Sequence, residues 1–234
     1  AGLEGRLPSP EMQVSLLLET GSQDLANAGI EDSRLEAELL LRHVLGLSRS
    51  ELFLRHNVSV SVGELTSFQA LLHRRCQREP LQYIFGSCEF WSLNFTVNPA
   101  VLIPRPETEF LLEHVFFTLA DLESPRQVLD LCTGSGVIAV VLAREWSLAT
   151  VSALDCSLDA LRVAQDNIRY HEAQVQLFCA DLLACFKPEP FFDCIISNPP
   201  YVKAGDLSGL APEVRDWEPH LALSGGNSGL DCIH

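Results

Sequence analysis

The residues best suited to chemistry are Asn198-Pro199-Pro200-Tyr201, which follow directly on the apolar run Phe192-Asp193-Cys194-Ile195-Ile196-Ser197. Two consecutive prolines remove two backbone N–H donors and fix φ, and each biases the residue before it towards extended geometry. The result is a stiff loop with bare carbonyls, an Asn amide at its start and an aromatic ring at its end. Such a surface suits a flat group carrying an NH2, which needs two acceptors in its plane and a ring against its face. An amide or an exocyclic base amine has that form. A proline-rich turn that merely closes a strand would look the same in isolation, so the neighbouring motifs decide.

A second constellation lies upstream. Asp130-Leu131-Cys132-Thr133-Gly134-Ser135-Gly136 sits where a strand turns into a helix. Glycines there let the backbone pass close to a ligand, beside the unpaired N–H groups of the helix N-terminus. The next strand ends in Asp155, 19 residues after Gly136, where a carboxylate can bind both hydroxyls of a ribose. The strand after that ends in Ala180-Asp181-Leu182, which offers a carboxylate to an adenine amino group and an apolar side chain to its ring. A nicotinamide dinucleotide site carries Gly-x-Gly-x-x-Gly. No third glycine follows Gly136 at that spacing, so NAD fits poorly, and ordinary strand-end caps are the plain alternative.

The elements that must position these residues alternate between strand and helix. Strands are expected at Val128–Leu131, Thr150–Leu154, Val175–Cys179 and Phe192–Ser197, with helices at Gly136–Arg144 and Leu158–Tyr170 between them. That order implies right-handed βαβ units and a parallel sheet. Before them, Ile103-Pro104-Arg105-Pro106-Glu107-Thr108-Glu109 opens a helix, with Pro106 in its first turn and Glu107 and Glu109 opposing the dipole. From about Phe85 to Ile103 the period is that of a strand, with Asn94 and Asn98-Pro99 as turn residues, which reads as a hairpin-like connector. From Glu11 to about Gln82 the pattern is helical. Asp32 or Ser33 with Glu36 suggests a capping box, and Gly46 a stop. A helix from Gly63 to Arg78 carries Arg74, Arg75 and Arg78 at its C-terminal end, expected as dipole complement and solubilising charge.

Composition bounds the function. The 234 residues carry a net charge of −15, which argues against tight binding to a phosphate backbone. Residues 1–90 contribute −4 and residues 91–234 contribute −11, so a cationic protein partner suits the second half better than nucleic acid. Eight cysteines show no C-x-x-C pair, several within apolar runs, where Cys is a small buried hydrophobe. A reducing, cytoplasmic setting is the simplest account. Dispersed histidines and cysteines give no metal-ligand spacing, and no apolar run is long enough for a membrane span. The chain opens at Ala1 without a methionine, so a natural start further upstream is expected.

Taken together, these residues resemble the class I methyltransferases that use S-adenosylmethionine. Ile103 to Glu109, Asp130 to Gly136, Asp155 and Ile196 to Tyr201 fall in the order seen in the glutamine N5-methyltransferases that modify peptide chain release factors. Ala211-Pro212-Glu213-Val214, Trp217-Glu218-Pro219 and the run from Gly225 to Asp231 are also similar to that family. The resemblance implies an α/β, Rossmann-like parallel-sheet methyltransferase domain over residues 104–234. Before it come a helical substrate-docking domain over 1–84 and a β-hairpin linker over 85–103. The family's sheet has seven strands and four are legible before His234, so a C-terminally truncated domain with its fourth strand as an exposed edge is expected. Cys132 stands where the family often has Gly. That form is shared with related enzymes that methylate a glutamine of a large-subunit ribosomal protein, whereas the intact run from Pro104 to Glu109 favours the release-factor branch.

The resemblance also assigns roles. Cys132, Thr133, Gly134, Ser135, Gly136, Asp155, Asp181, Leu182 and Asn198 are expected to hold S-adenosylmethionine. Asn198 and Pro199 would accept the two amide hydrogens of a substrate glutamine, Tyr201 would cover the amide face, and Pro200 and Leu102 would complete the pocket. The implied partner is a class 1 release factor presenting its Gly-Gly-Gln loop, with no direct nucleic-acid or membrane contact. A ribosomal-protein glutamine methyltransferase, an adenine-N6 nucleic-acid methyltransferase and a non-catalytic binding protein remain as alternatives.

Overall fold

The computed structural model describes residues 12–119, 126–187 and 189–233. Glu11, where the helical pattern begins, and His234 lie outside the described residues. The described residues form two compact units, one up to Phe85 and one from Gly86 onward.

The first unit is helical: α1 (Val14–Asn27), α2 (Ser33–Leu45), α3 (Arg49–Leu54), α4 (Val62–Cys76) and α5 (Leu81–Phe85). Leu17 and Leu25 of α1, Leu40 and Leu41 of α2, and Phe68 and Leu72 of α4 recur at helical spacing and share one buried core. Gly46 ends α2 in the left-handed region, at φ +63°, as its sequence position suggested. The expected capping box at α2 does not form. The Asp32 side chain caps nothing, and Glu36 instead takes Arg75 through two bonds of 2.5 and 3.1 Å. Capping boxes form at α3 and α4, through Ser48 with Glu51 and Ser61 with Glu64. Arg74 and Arg75 stand in the last turn of α4, as dipole complement requires, and Arg78 lies just beyond it, but all three are engaged by partners rather than left as solubilising charge. Arg75 is buried against Glu36, Arg74 pairs with Glu79, and Arg78 donates to the Gly29 carbonyl. A charge with a partner across the fold gains more from that pair than from the helix dipole alone.

The second unit opens with the antiparallel hairpin β1 (Ser87–Phe90) and β2 (Leu93–Thr96). Its turn is Trp91-Ser92, at φ +54° and +55°, and Asn94 lies inside β2 rather than in the turn. Two-residue hairpin turns of this hand usually take Asn-Gly; here anchoring offsets the strain. Glu109 accepts from the Trp91 backbone N–H at 2.7 Å, and Glu145 from its indole N–H at 3.2 Å. Phe90 and Phe95 of the hairpin join the unit's core.

Then follow α6 (Pro106–Thr118), β3 (Gln127–Leu131), α7 (Val137–Glu145), β4 (Thr150–Asp155), α8 (Leu158–Tyr170), β5 (Val175–Cys179), β6 (Cys194–Ser197), α9 (Pro212–Arg215) and α10 (His220–Leu223). The four strands pair in parallel in the order β5-β4-β3-β6. The α/β class and parallel topology expected from the sequence are therefore present. The chain reverses its direction of travel across the sheet between β3 and β6, and a ligand crevice forms at such a point, beyond the C-terminal ends of the strands. α7 is buried from Val137 through Leu142, as a helix that is apolar all round must be. α8 is amphipathic, with Leu161, Ala164 and Ile168 inward. Among the described residues β6 has one strand neighbour, and Ile195 on it is half exposed. All eight cysteines are free and none is fully buried; Cys76 and Cys194 pack partly buried against the two cores, while Cys156, Cys179 and Cys185 are exposed, against their expected burial. No helix among the described residues is long and apolar enough to cross a membrane.

Candidate active site

The turn from β3 into α7 is built from the positive-φ residues Cys132 (+63°), Gly134 (+54°) and Gly136 (+82°). Gly136 is required twice over, because a Cβ there would also stand 3.2 Å from the Ala164 side chain. Three polar side chains hold this turn. Asp130, fully buried, accepts from the Thr133 hydroxyl at 2.5 Å and the Ala139 N–H at 3.1 Å. Asp155 accepts from the Gly134 N–H and the Ser157 N–H, each at 2.9 Å. Asn167 of α8, also buried, donates to the Ser135 carbonyl at 2.8 Å while exchanging bonds with the Thr96 backbone. Burial pushes the Asp130 carboxyl up to about 7, against the lowering effect of Thr133 and Ala139. Burial, with Asp155 nearby, pushes the Cys132 thiol up to about 12, so it is no thiolate nucleophile.

The Asn198 loop is brought alongside by β6. The Ser197 hydroxyl donates to the Leu131 carbonyl at 2.6 Å, tying the end of β6 to the end of β3. Asn198 Nδ2 then donates to Thr108 Oγ1, in the first turn of α6, at 3.2 Å. The segment before α6 is fixed in turn by Glu218, which is buried and accepts from Arg105 at 2.5 Å and from the Ile103 N–H at 3.4 Å. Beyond the loop, Val202 bridges Ser224, and its N–H donates to the Leu223 carbonyl.

One cavity joins the two constellations. Cys132, Thr133, Gly134 and Ser135 line it with Asp155, and so do Leu102, Asn198 and Pro200. Gly136 stands behind that wall as the N-cap of α7. Five expected site residues are therefore not on the wall: Gly136, Pro199, Tyr201, Asp181 and Leu182. Tyr201 is largely exposed, Asp181 follows the end of β5, and Leu182 opens a short 3-10 turn at φ +46°. The sequence reading missed Thr108, Arg105 and Pro219, which also line the cavity. Thr108 and Arg105 sat in a quoted motif, but nothing in their spacing says that they face Asn198 and Glu218.

The donor set suits a nucleoside that carries positive charge. The Asp155 oxygens each keep lone-pair capacity after their N–H bonds, enough for a ribose diol. Asp130 Oδ1 is a buried acceptor without a hydrogen-bond partner just behind the turn. Arg105, a cation on the wall, is committed to Glu218. S-adenosylmethionine, with a ribose, a sulfonium and an ammonium, fits these residues.

A parallel sheet with a glycine turn after its first strand, a carboxylate after its second and an Asn-Pro-Pro-Tyr loop after its fourth defines a class I methyltransferase. The comparisons agree and go further. Residues 17–86 match the PrmC N-terminal domain family and residues 106–212 the methyltransferase small domain family. A release factor glutamine methyltransferase of Koribacter versatilis is 42% identical over 222 residues, covering 95% of this chain and 79% of that protein. Its counterpart in Geobacter sulfurreducens is 44% identical over 209 residues, covering 88% and 72%. The chain belongs to the release factor glutamine methyltransferase family. A solved methyltransferase structure from Pyrococcus furiosus aligns at 21% identity over 55% of this chain and 62% of that chain, with a TM-score of 0.40.

Proposed function

We infer that this protein transfers a methyl group from S-adenosylmethionine to the side-chain amide nitrogen of a glutamine in a peptide chain release factor. The observation that carries the reading is that Asn198 and the β3–α7 turn line the same cavity. An amide-accepting group and a nucleoside-binding turn share that space. Relatives named release factor glutamine methyltransferase, at about 40% identity over most of the chain, supply the substrate. S-adenosylmethionine brings an electrophilic methyl group on a sulfonium when bound. The turn from Cys132 to Gly136, with Asp155, Asp181, Leu182 and Asn198, would hold it.

The chain's own residues have a narrower task. A carboxamide nitrogen is a poor nucleophile, because its lone pair is delocalised into the carbonyl. Asn198 Oδ1 and the Pro199 carbonyl would accept hydrogen bonds from its two N–H groups, aim the nitrogen and stabilise the positive charge that develops on it until one of those protons leaves to water. Tyr201 would cover the amide face, with Leu102 and Pro200 as walls. Holding the reacting atoms in line is worth roughly 7–11 kcal/mol of barrier. The partner would be a class 1 release factor presenting its Gly-Gly-Gln loop. The helical first unit would dock that protein, and the net −11 of residues 91–234 suits a cationic protein surface better than nucleic acid. Eight free cysteines are in keeping with the cytoplasm. The test is transfer of labelled methyl to purified release factor, ribosomal protein and DNA side by side. Label is expected in release factor, and label confined to DNA or to ribosomal protein would overturn the assignment.

A further inference from the structure

We propose that Thr108 is a positioning residue that anchors the Asn198 carboxamide by its nitrogen, leaving its oxygen to face the substrate. The two ends of an Asn side chain are nearly isosteric, so the shape of a pocket cannot choose between them; the hydrogen bonds on its two sides do, and a threonine hydroxyl can accept from the NH2 end while the substrate NH2 takes the oxygen. If the NH2 end faced the cavity it would oppose the NH2 of a glutamine, donor against donor. Thr108 Oγ1 takes the Asn198 Nδ2 at 3.2 Å, which turns Oδ1 the other way. Thr108 is itself buried at 6% exposure and lines the same cavity as Asn198. Its backbone N–H donates to the Arg105 carbonyl at 3.0 Å, and Arg105 is held by buried Glu218. The hydroxyl is thus presented from a braced helix start, not from a loose loop.

This rests on the proposed amide chemistry, so the test separates the two. In Thr108→Val the shape is kept and the acceptor lost. The loss of one such bond predicts that kcat falls about three- to tenfold, with KM for release factor and S-adenosylmethionine within about twofold. Thr108→Ser should restore kcat, and Thr108→Val should add nothing in an Asn198→Ala background. A readout independent of activity is the NMR signal of the Asn198 side-chain NH2 in the ligand-free protein, identified by its loss in Asn198→Ala. One proton of the pair should be protected from solvent exchange in wild type and Thr108→Ser, and unprotected in Thr108→Val, or in Thr108→Ala should the valine variant not fold. An unchanged NH2 signal, an unchanged kcat, or an equal further loss in the Asn198→Ala background would overturn the role of Thr108. If wild type methylates no release factor, the amide chemistry falls instead, and the NMR result alone decides whether Thr108 orients Asn198.

Discussion

Asn167→Ala tests how the cofactor turn is held. Asn167 sits on α8 with 1% exposure. Its amide donates to the Ser135 and Thr96 carbonyls, and its oxygen accepts from the Thr96 N–H at 2.7 Å. Truncation leaves three backbone groups without their partner. Ser135 is buried, so its carbonyl bears a desolvation penalty of about 1–3 kcal/mol. Thr96 is exposed, so its two groups regain water, and their loss is nearer the net value of about 1 kcal/mol each. The expected cost is therefore about 3–5 kcal/mol. Trp91, Trp146 and Trp217 all lie in the second unit, so tryptophan fluorescence during urea unfolding reads that unit's transition. S-adenosylmethionine affinity, measured by calorimetry, should fall about tenfold if the freed turn loses about 1.4 kcal/mol of preorganisation. Asn167→Asp should be worse than Ala at neutral pH, since it aims a buried carboxylate at two carbonyl oxygens. A destabilisation below about 1 kcal/mol with unchanged affinity would show that α8 does not hold the turn.

Two further perturbations follow from buried carboxyls. Burial raises the Asp130 pKa to about 7, above an unfolded value near 3.9. Its contribution is therefore fully present below about pH 4 and is lost as pH rises through about 7. Asp130→Asn should flatten the stability profile over that window, and an unchanged slope in urea unfolding at several pH values would contradict the assignment. Glu218→Ala should cost about 2–3 kcal/mol, less than a fully buried pair because Arg105 is partly exposed. It should also raise KM for the protein substrate, because the segment from Ile103 to Thr108 loses its brace. A thermal melt within about a degree of wild type would refute it.

Much of this was legible because the chain repeats simple periods. Leu158–Tyr170 and Val175–Cys179 match the bounds expected from sequence, since an amphipathic stripe and a short apolar run between turn residues each have one reading. The cavity's two halves were legible for a similar reason: a glycine turn and a proline-stiffened loop declare their backbone shape locally. What escaped were interactions between residues far apart in the chain. Glu36 completes a local capping box on paper, but Arg75, 39 residues away, takes it. Trp91-Ser92 lacks the Asn or Gly that a positive-φ turn favours, and its conformation is held by Glu109 and Glu145 from two helices. Thr108 was part of a motif, yet its bond to Asn198 spans 90 residues. Cys132 keeps a glycine-like φ without being glycine, a strain of about 1–2 kcal/mol that only the backbone reveals.

The most direct measurement follows methyl transfer to the release factor by mass spectrometry of the peptide holding its Gly-Gly-Gln loop, with wild type and Asn198→Ala compared at saturating S-adenosylmethionine. Wild type should add one methyl group to the glutamine side chain. Asn198→Ala should lower kcat by about 10²–10³, the usual cost of removing a donor or acceptor aimed at developing charge, while binding the cofactor nearly as well. Methylation at another residue, or an Asn198→Ala enzyme that turns over at the wild-type rate, would contradict the account.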